Sequence, residues 1–367
     1  MANLTSYFRR FDWLVFGSSA LLAVLGLAVL YGTSLGSGET AVDLRLFWRQ
    51  FWFVAVGLSV SVIVPAVDYR LMTGVAKAMY VAAGILLVAV LAFGNTVRGT
   101  TGWFGLFGFG IQPVELVKFL LIVFLAKYFA DYARDRSAWR PIVGSGLAFA
   151  AIFLLVIMQP DMGSALLLFA VWAAMLVMSG IRRAHLLALI GIFAACGAIA
   201  WMFVLAPYQK DRFTAFLDPS FEPQGKGYNV TQSMIAIGSG GLFGKGLGYG
   251  SQSQLRFLPE RQTDFIFASV AEEMGMLGVV FMLGLFGTLF YRCYRLSVGA
   301  RDDFTLFLVL GISASLAAEL VINIGGAVRL LPLTGVTLPF VSYGGSSVLA
   351  KFLMVGVLQS VAVRQRG

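Results

Sequence analysis

The chain has 367 residues, of which 59% are hydrophobic and 12% are charged, and its mean hydropathy is +0.85. Soluble domains carry about a quarter charged residues, so this composition excludes an ordinary soluble protein and indicates an integral membrane protein. The formal net charge is +9. Most of the basic residues lie between apolar segments, so the charge does not call for nucleic acid as a partner.

Ten apolar stretches follow one another along the chain. A hydrocarbon core of ~30 Å takes about 20 residues of helix, and backbone groups in lipid must bond within a helix or a closed barrel. Uninterrupted Leu, Val, Ala and Phe favour helices. We therefore predict an all-α polytopic membrane protein, one domain over residues 1–367, with ten transmembrane helices near 13–33, 47–66, 76–93, 113–130, 141–158, 163–180, 184–206, 265–290, 304–324 and 346–363.

The positions of Lys and Arg between these spans set the expected orientation, because cytoplasmic loops carry an excess of them. Placing the N-terminus inside leaves few basic residues in the short outer loops, namely Arg45, Arg49, Arg98 and Arg329. With an even number of spans both termini are then cytoplasmic. The polar segment 207–264 becomes a large extracytoplasmic loop between helices 7 and 8.

A few ionisable residues fall inside the predicted spans: Glu115, Lys118, Glu319 and Lys351. Such residues are costly in lipid and are functional by default. Glu115 and Lys118 are three residues apart and share one helical face. Two interpretations remain open for this pair, a structural ion pair that fixes helix packing and a pair that faces substrate.

Further acidic residues lie near span ends. Asp161 follows Gln159-Pro160 in a tight outer connection, where it is either a cap for the next helix or part of a site. Glu272 and Glu273 lie two to three turns into the eighth span, and at 100° per residue only one of them is expected to face a cavity.

The loop 207–264 is rich in glycine and ends at Asp264, directly before the eighth apolar run. Its glycines do not form a phosphate loop, because Gly246 follows Lys245 where that motif requires Ser or Thr. They are expected to let the backbone turn sharply at the membrane surface. Asp264 is either a cap for the eighth helix or a functional carboxylate.

Four segments resemble one family in order along the chain. They are Gln112-Pro113-Val114-Glu115-Leu116-Val117-Lys118, Gln159-Pro160-Asp161-Met162-Gly163, Asp264 followed by Glu272-Glu273-Met274-Gly275, and the long run from Asn323 to Ser346. The chain is thereby identified as a member of the SEDS family (shape, elongation, division and sporulation proteins). Its length and short termini resemble the rod-shape branch, RodA, more than the division branch, FtsW. Val114 replaces the serine of the family motif, and Gln262 replaces a histidine that many members carry.

The resemblance implies an inverting peptidoglycan glycosyltransferase. It would polymerise lipid II at the outer face of the bacterial cytoplasmic membrane, for cell-wall elongation and rod shape, beside a class B penicillin-binding protein. Asp264 is the implied catalytic base. The expected substrate contacts are Glu115, Lys118, Asp161, Arg212, Arg261, Glu273, Arg329 and Ser342. No resident metal is expected, although a divalent cation is able to act together with the substrate diphosphate.

Three rival functions stay open. The same chemistry can serve division instead of elongation. A multi-spanning protein with charged residues in its spans can also be a lipid II flippase, although the two halves show no convincing internal repeat. In the third alternative the chain is a scaffold that activates a partner enzyme, and Asp264 is only structural.

Overall fold

The computed structural model describes residues 9–35, 44–97, 99–106, 109–132, 139–182 and 226–365 apart from 256 and 259, together with isolated positions between 184 and 210. Most of these residues are helical. The longer helices are α1 (Trp13–Ser34), α2 (Arg45–Ile63, continued by a 3-10 turn at Val64–Ala66), α3 (Leu71–Phe93), α4 (Pro113–Tyr132), α5 (Arg140–Ile157), α6 (Met162–Met178), α7 (Lys226–Ser239), α8 (Ile266–Val298), α9 (Asp303–Ala327) and α10 (Gly345–Gln365).

The predicted spans agree with these helices wherever the structure describes the chain. Seven of the described helices are long and apolar enough to cross a membrane, namely α1, α2 with its 3-10 turn, α3, α5, α8, α9 and α10. The helix α6 is apolar but has only 17 residues. The predicted seventh span, 184–206, lies almost entirely outside the described residues. The protein is therefore a multi-pass membrane protein.

The prediction of an all-α chain needs one correction. A three-stranded antiparallel sheet lies between α3 and α4, formed by β1 (Asn95–Val97), β2 (Thr100–Leu106) and β3 (Phe109–Ile111). Trp103 pairs with Asn95, and Phe104 pairs with Ile111. The segment has the β-branched and aromatic residues that suit strands. Its apolar runs are short and interrupted by glycines, and this pattern is also typical of a loop.

The helices α4 and α10 lie at the centre of the bundle. The helix α4 packs against α3 and α9, and α10 packs against α2 and α4. Most residues of α10 are buried, including Lys351 and Gln359. By contrast only 22% of the apolar window of α2 and of α3 is buried, as expected for helices that face lipid.

The helix α8 contains a break at Gly275, whose φ of 66° and ψ of −164° lie outside helical values. At such a break the backbone groups on either side lose their helical partners. Here the glycine-rich turn 240–246 supplies new ones. The bonds are Lys245 N to Glu272 O (3.0 Å), Gly246 N to Glu273 O (3.0 Å), Met276 N to Gly241 O (2.9 Å) and Leu277 N to Leu242 O (3.2 Å).

This turn depends on glycine for its close approach. A Cβ on Gly244 would lie 2.2 Å from Glu273 O, and a Cβ on Gly275 would lie 2.3 Å from Gly244 N. Both residues also have positive φ, which L side chains rarely adopt. The expectation of sharp turns at these glycines is confirmed, and the turn stabilises a broken helix.

Candidate active site

Asp264 is half-buried and directly precedes α8. The residue at the N-cap of this helix is Phe265, whose side chain makes no capping hydrogen bond. Thr263, the other candidate cap, instead donates from Oγ1 to Glu260 Oε2 at 3.1 Å. The cap position of α8 is thus occupied by Phe265, the residue after Asp264.

Three successive carbonyl groups hold the chain at Asp264. Each accepts a hydrogen bond from α9 or from the loop between α9 and α10. The bonds are Tyr343 N to Gln262 O (2.8 Å), Ser342 Oγ to Thr263 O (2.7 Å) and Asn323 Nδ2 to Asp264 O (3.1 Å). The backbone that carries the carboxylate is thus fixed by contacts separated from it by about 60 to 80 residues of sequence.

Gly335 lies beside the carboxylate of Asp264. A Cβ at this glycine would be 3.7 Å from Asp264 Oδ2, and the φ of Gly335 is +77°. The residue is exposed. Residue 335 therefore places no side chain beside this carboxylate oxygen.

The intramembrane charges predicted from the sequence form one closed cluster. Lys118 and Lys351 each contact both Glu115 and Glu319, so the four side chains, called the charge quartet here, join α4, α9 and α10. The distances are Lys118 Nζ to Glu115 Oε2 2.9 Å, Lys118 Nζ to Glu319 Oε1 2.8 Å, Lys351 Nζ to Glu115 Oε2 2.6 Å and Lys351 Nζ to Glu319 Oε1 2.9 Å. Two acids and two bases make the quartet neutral.

The quartet is shielded from solvent. The relative exposure of Lys118 is 1% and that of Glu319 and Lys351 is 0%. Buried charges are tolerated when they are paired and hydrogen-bonded, as they are here. This geometry supports the structural-pair interpretation of Glu115 and Lys118, since neither side chain is open to a ligand in the structure.

Asp161 is the N-cap of α6. Its carboxylate accepts bonds from Ser164 N at 2.9 Å and Ser164 Oγ at 2.7 Å. It also accepts from Gln112 Nε2 at 3.0 Å, which ties the end of the sheet segment to α6. The capping interpretation of Asp161 is confirmed.

The adjacent glutamates of α8 have different environments. The carboxylate of Glu272 accepts from Gln252 N (2.8 Å), Ser253 N (3.0 Å) and Ser253 Oγ (2.8 Å), and it pairs with Lys245 Nζ at 3.1 Å. The carboxylate of Glu273 is buried as well, at 1% exposure. Glu272 therefore organises the loop before α8, and neither glutamate is open to solvent.

The remaining predicted contacts are spread over several segments between the helices. Arg261 donates from Nη2 to Thr33 O at 3.0 Å. Arg329 is exposed and has a φ of 59°. Ser342 is 2% exposed and bonds to backbone, so it holds the site rather than lining it. Arg212 lies outside the described residues.

Sequence reasoning missed Asn323, which lies in the family-like run but was assigned no role. A polar residue within a buried apolar helix was the available signal. For metals, the described part of the chain has no group of three or more His, Cys, Asp or Glu side chains placed to hold an ion.

Comparison with known proteins decides the family. The family model for FtsW, RodA and SpoVE, described as "Cell cycle protein", matches residues 12–367. The chain belongs to this family. The SEDS resemblance inferred from the motifs is thus confirmed.

Members of the FtsW/RodA/SpoVE family from different branches are similar to the chain. Stage V sporulation protein E of Bacillus subtilis is 37% identical, over 96% of both chains. Peptidoglycan glycosyltransferase MrdB of Escherichia coli K12 is 35% identical, over 94% of this chain and 93% of the relative. A chain in a solved peptidoglycan synthase complex, described as coordinating polymerization and crosslinking, shares the fold with a TM-score of 0.79. Its identity is 29%, and the match covers 97% of this chain and 98% of that one.

Proposed function

We propose that the protein is a peptidoglycan glycosyltransferase that polymerises lipid II with inversion at the anomeric carbon. The observation that carries the proposal is Asp264. Its backbone is fixed by α9 and the loop after it, and Gly335 lies beside its carboxylate. Relatives such as MrdB, which carries the name peptidoglycan glycosyltransferase, support the same reaction class.

The stereochemistry of the reaction calls for one base. Lipid II carries its sugar on a diphosphate in the α configuration, and the product linkage is β, so a single displacement is sufficient. Asp264 takes the proton from the attacking 4-hydroxyl of an N-acetylglucosamine unit while the new bond forms from that oxygen to the anomeric carbon. The bond from this carbon to the diphosphate breaks, and the diphosphate leaves as an anion. The same logic operates in inverting glycosidases.

Cations near Asp264 would neutralise the departing diphosphate. We propose Arg261 and Arg329 for this contact, because the guanidinium fork suits phosphate oxygens and Arg329 is exposed. Arg212 remains a proposed substrate contact. For Glu115, Lys118, Asp161, Glu273 and Ser342 the burial and bonding favour indirect roles that hold the site. A divalent cation would arrive with the diphosphate, since the described residues offer no cage for it.

We further propose that the reaction takes place at the outer face of the bacterial cytoplasmic membrane, with both chain termini inside. The partner is a class B penicillin-binding protein. The similarity to a chain of a peptidoglycan synthase complex supports a partner of this kind. Within the family we propose the elongation branch. Relatives named MrdB and FtsW are 35% and 37% identical to the chain, so the division role is the alternative.

Purified protein with lipid II and no other polymerase tests the reaction. We expect glycan strands from the wild type and none from Asp264→Ala or Asp264→Asn. Glu260→Gln is the matched control, because this neighbouring carboxylate lies four residues earlier and the amide keeps an acceptor oxygen for Thr263. Normal polymer from folded Asp264 variants would refute the assignment of the base. A wild type that makes no polymer but moves lipid II across vesicles would favour a flippase.

A complementation test addresses the branch. The gene is expressed in cells depleted of either the elongation polymerase or the division polymerase. Restored rod shape without restored septation supports elongation. The opposite result assigns the protein to division.

A further inference from the structure

Asn323 joins the two chain segments that face each other across the Asp264 carboxylate. Its side-chain Nδ2 donates to Asp264 O at 3.1 Å and to Val336 O at 2.7 Å. Val336 follows Gly335, the residue beside Asp264 Oδ2. A side-chain amide nitrogen has two N–H groups, and this one uses both of them to bridge these two carbonyls. Asn323 thus sets the separation between the Asp264 carboxylate and the segment 335–336 opposite it.

The helix that carries Asn323 is itself held in place. Glu319 lies one turn earlier on α9, on the same face, and belongs to the charge quartet through Lys118 and Lys351. Asn323 is 4% exposed. Buried ion pairs one turn earlier on α9 therefore hold the part of the helix that carries the amide group. The orientation of the amide does not depend on solvent.

A second connection runs from the same quartet to the opposite segment. Lys351 Nζ donates to Ser347 Oγ at 3.1 Å, and Ser347 Oγ lies 3.0 Å from Thr337 Oγ1. Thr337 is the next residue after Val336. The helix α9 and the segment 335–337 are thus both connected to the charge quartet. Asn323 is the residue that extends this connection to residue 264.

The hydrogen bonding of Asn323 is costly as well as useful. Its Oδ1 is buried and accepts no hydrogen bond within the part of the chain that the structure describes. A buried acceptor without a donor costs about 1–3 kcal/mol. An amide at this place is therefore a poor choice for stability alone, and the geometry of its nitrogen at Asp264 offers a reason for it.

We propose that Asn323 is a positioning residue for Asp264, which acts by fixing the distance and orientation of the base toward the attacking hydroxyl. The inference rests on the proposed polymerase function. It assigns no contact between Asn323 and substrate. Misplacement of a reacting group by about 1 Å can lower a rate by about 10²-fold, so loss of this bridge should lower kcat and leave KM nearly unchanged.

The test compares Asn323→Ala and Asn323→Asp with the control Ser233→Ala. The aspartate keeps the side-chain volume but, when ionised, donates no hydrogen bond. Ser233 is buried and donates from Oγ to Ala327 O at 2.8 Å, so its loss also removes a buried bond to the end of α9 but none to residue 264 or 336. We expect both Asn323 variants to lower kcat about 10- to 100-fold with KM for lipid II within about twofold. The control should keep the wild-type kcat.

Amide hydrogen exchange supplies a readout that does not need activity. In Asn323→Ala, residues 262–266 and 335–338 should exchange faster, whereas in Ser233→Ala they should exchange as in the wild type. A folded Asn323→Ala protein with wild-type kcat and unchanged exchange would overturn the inference, and the polymerase proposal would stand. An equal loss in the control would assign the effect to general destabilisation and also overturn it. If the wild type makes no polymer, the proposed function fails, and exchange alone decides whether Asn323 holds Asp264.

Discussion

Removing one lysine of the charge quartet should destabilise the protein strongly. In Lys118→Met the apolar side chain has similar length, but Glu115 and Glu319 then share only Lys351, so the buried cluster changes from neutral to −1. Breaking a buried ion pair by removing one partner costs about 3–5 kcal/mol. At an unfolding entropy of about 2.1 cal/mol/K per residue, a chain of 367 residues loses about 1.3 °C in Tm for each kcal/mol, so we expect a fall of about 4–6 °C.

The measurement is thermal unfolding in detergent micelles, followed by tryptophan fluorescence. Lys127→Met is the matched control on the same helix, because the Lys127–Asp131 pair is partly exposed and such pairs contribute about 0–1 kcal/mol. The double variant Lys118→Met with Glu319→Gln restores neutrality, since Glu115 and Lys351 still form a pair. It should be more stable than Lys118→Met alone. The reasoning is refuted if Lys118→Met costs no more than Lys127→Met, or if the double variant is no better than the single one.

Three further predictions concern the surroundings of Asp264 and the helix termini. Gly335→Ala should lower polymerase activity, because the φ of +77° disfavours a side chain and the methyl group would lie beside Asp264 Oδ2; unchanged activity would show that this side of the carboxylate is not used. Asp161→Ala should cost about 0.5–2 kcal/mol through loss of the α6 cap, measured by thermal unfolding, whereas Asp161→Asn should cost less; equal losses would contradict the capping role. Gly275→Ala should give little folded protein on size exclusion, because its Cβ would lie 2.3 Å from Gly244 N; a wild-type yield and Tm would show that the break is dispensable.

The sequence predicted the spans well, because apolar runs of about 20 residues have few alternatives in lipid. The sequence did not predict which residues pair with the buried charges. Glu115 and Lys118 are neighbours by helical spacing, but their contacts with Glu319 and Lys351 join residues 201 and 236 positions apart. Only the packing of α4, α9 and α10 brings these side chains together.

The candidate site was predicted in the same uneven way. Asp264 was identified by its place at the end of a polar loop and by resemblance, but its helix-capping alternative needed the backbone around Phe265 to be tested. The sheet at 95–111 escaped because its strands are short and contain glycine. The role of Asn323 escaped because its bonds go to backbone carbonyls, which sequence patterns do not encode.

The break at Gly275 divides α8 into a long part that anchors the protein in the membrane and a short part that adjoins Asp264. A straight helix of 33 residues would be about 50 Å long at 1.5 Å per residue, which exceeds the hydrocarbon core of ~30 Å. The part after the break is long enough to span the core by itself, and it can tilt as bilayer thickness changes. The short part before the break is bonded to the glycine turn, and residues 262–264 just ahead of it are bonded to α9 and to the loop after α9. Asp264 can thus keep a constant position while the part of α8 after the break tilts with the thickness of the bilayer.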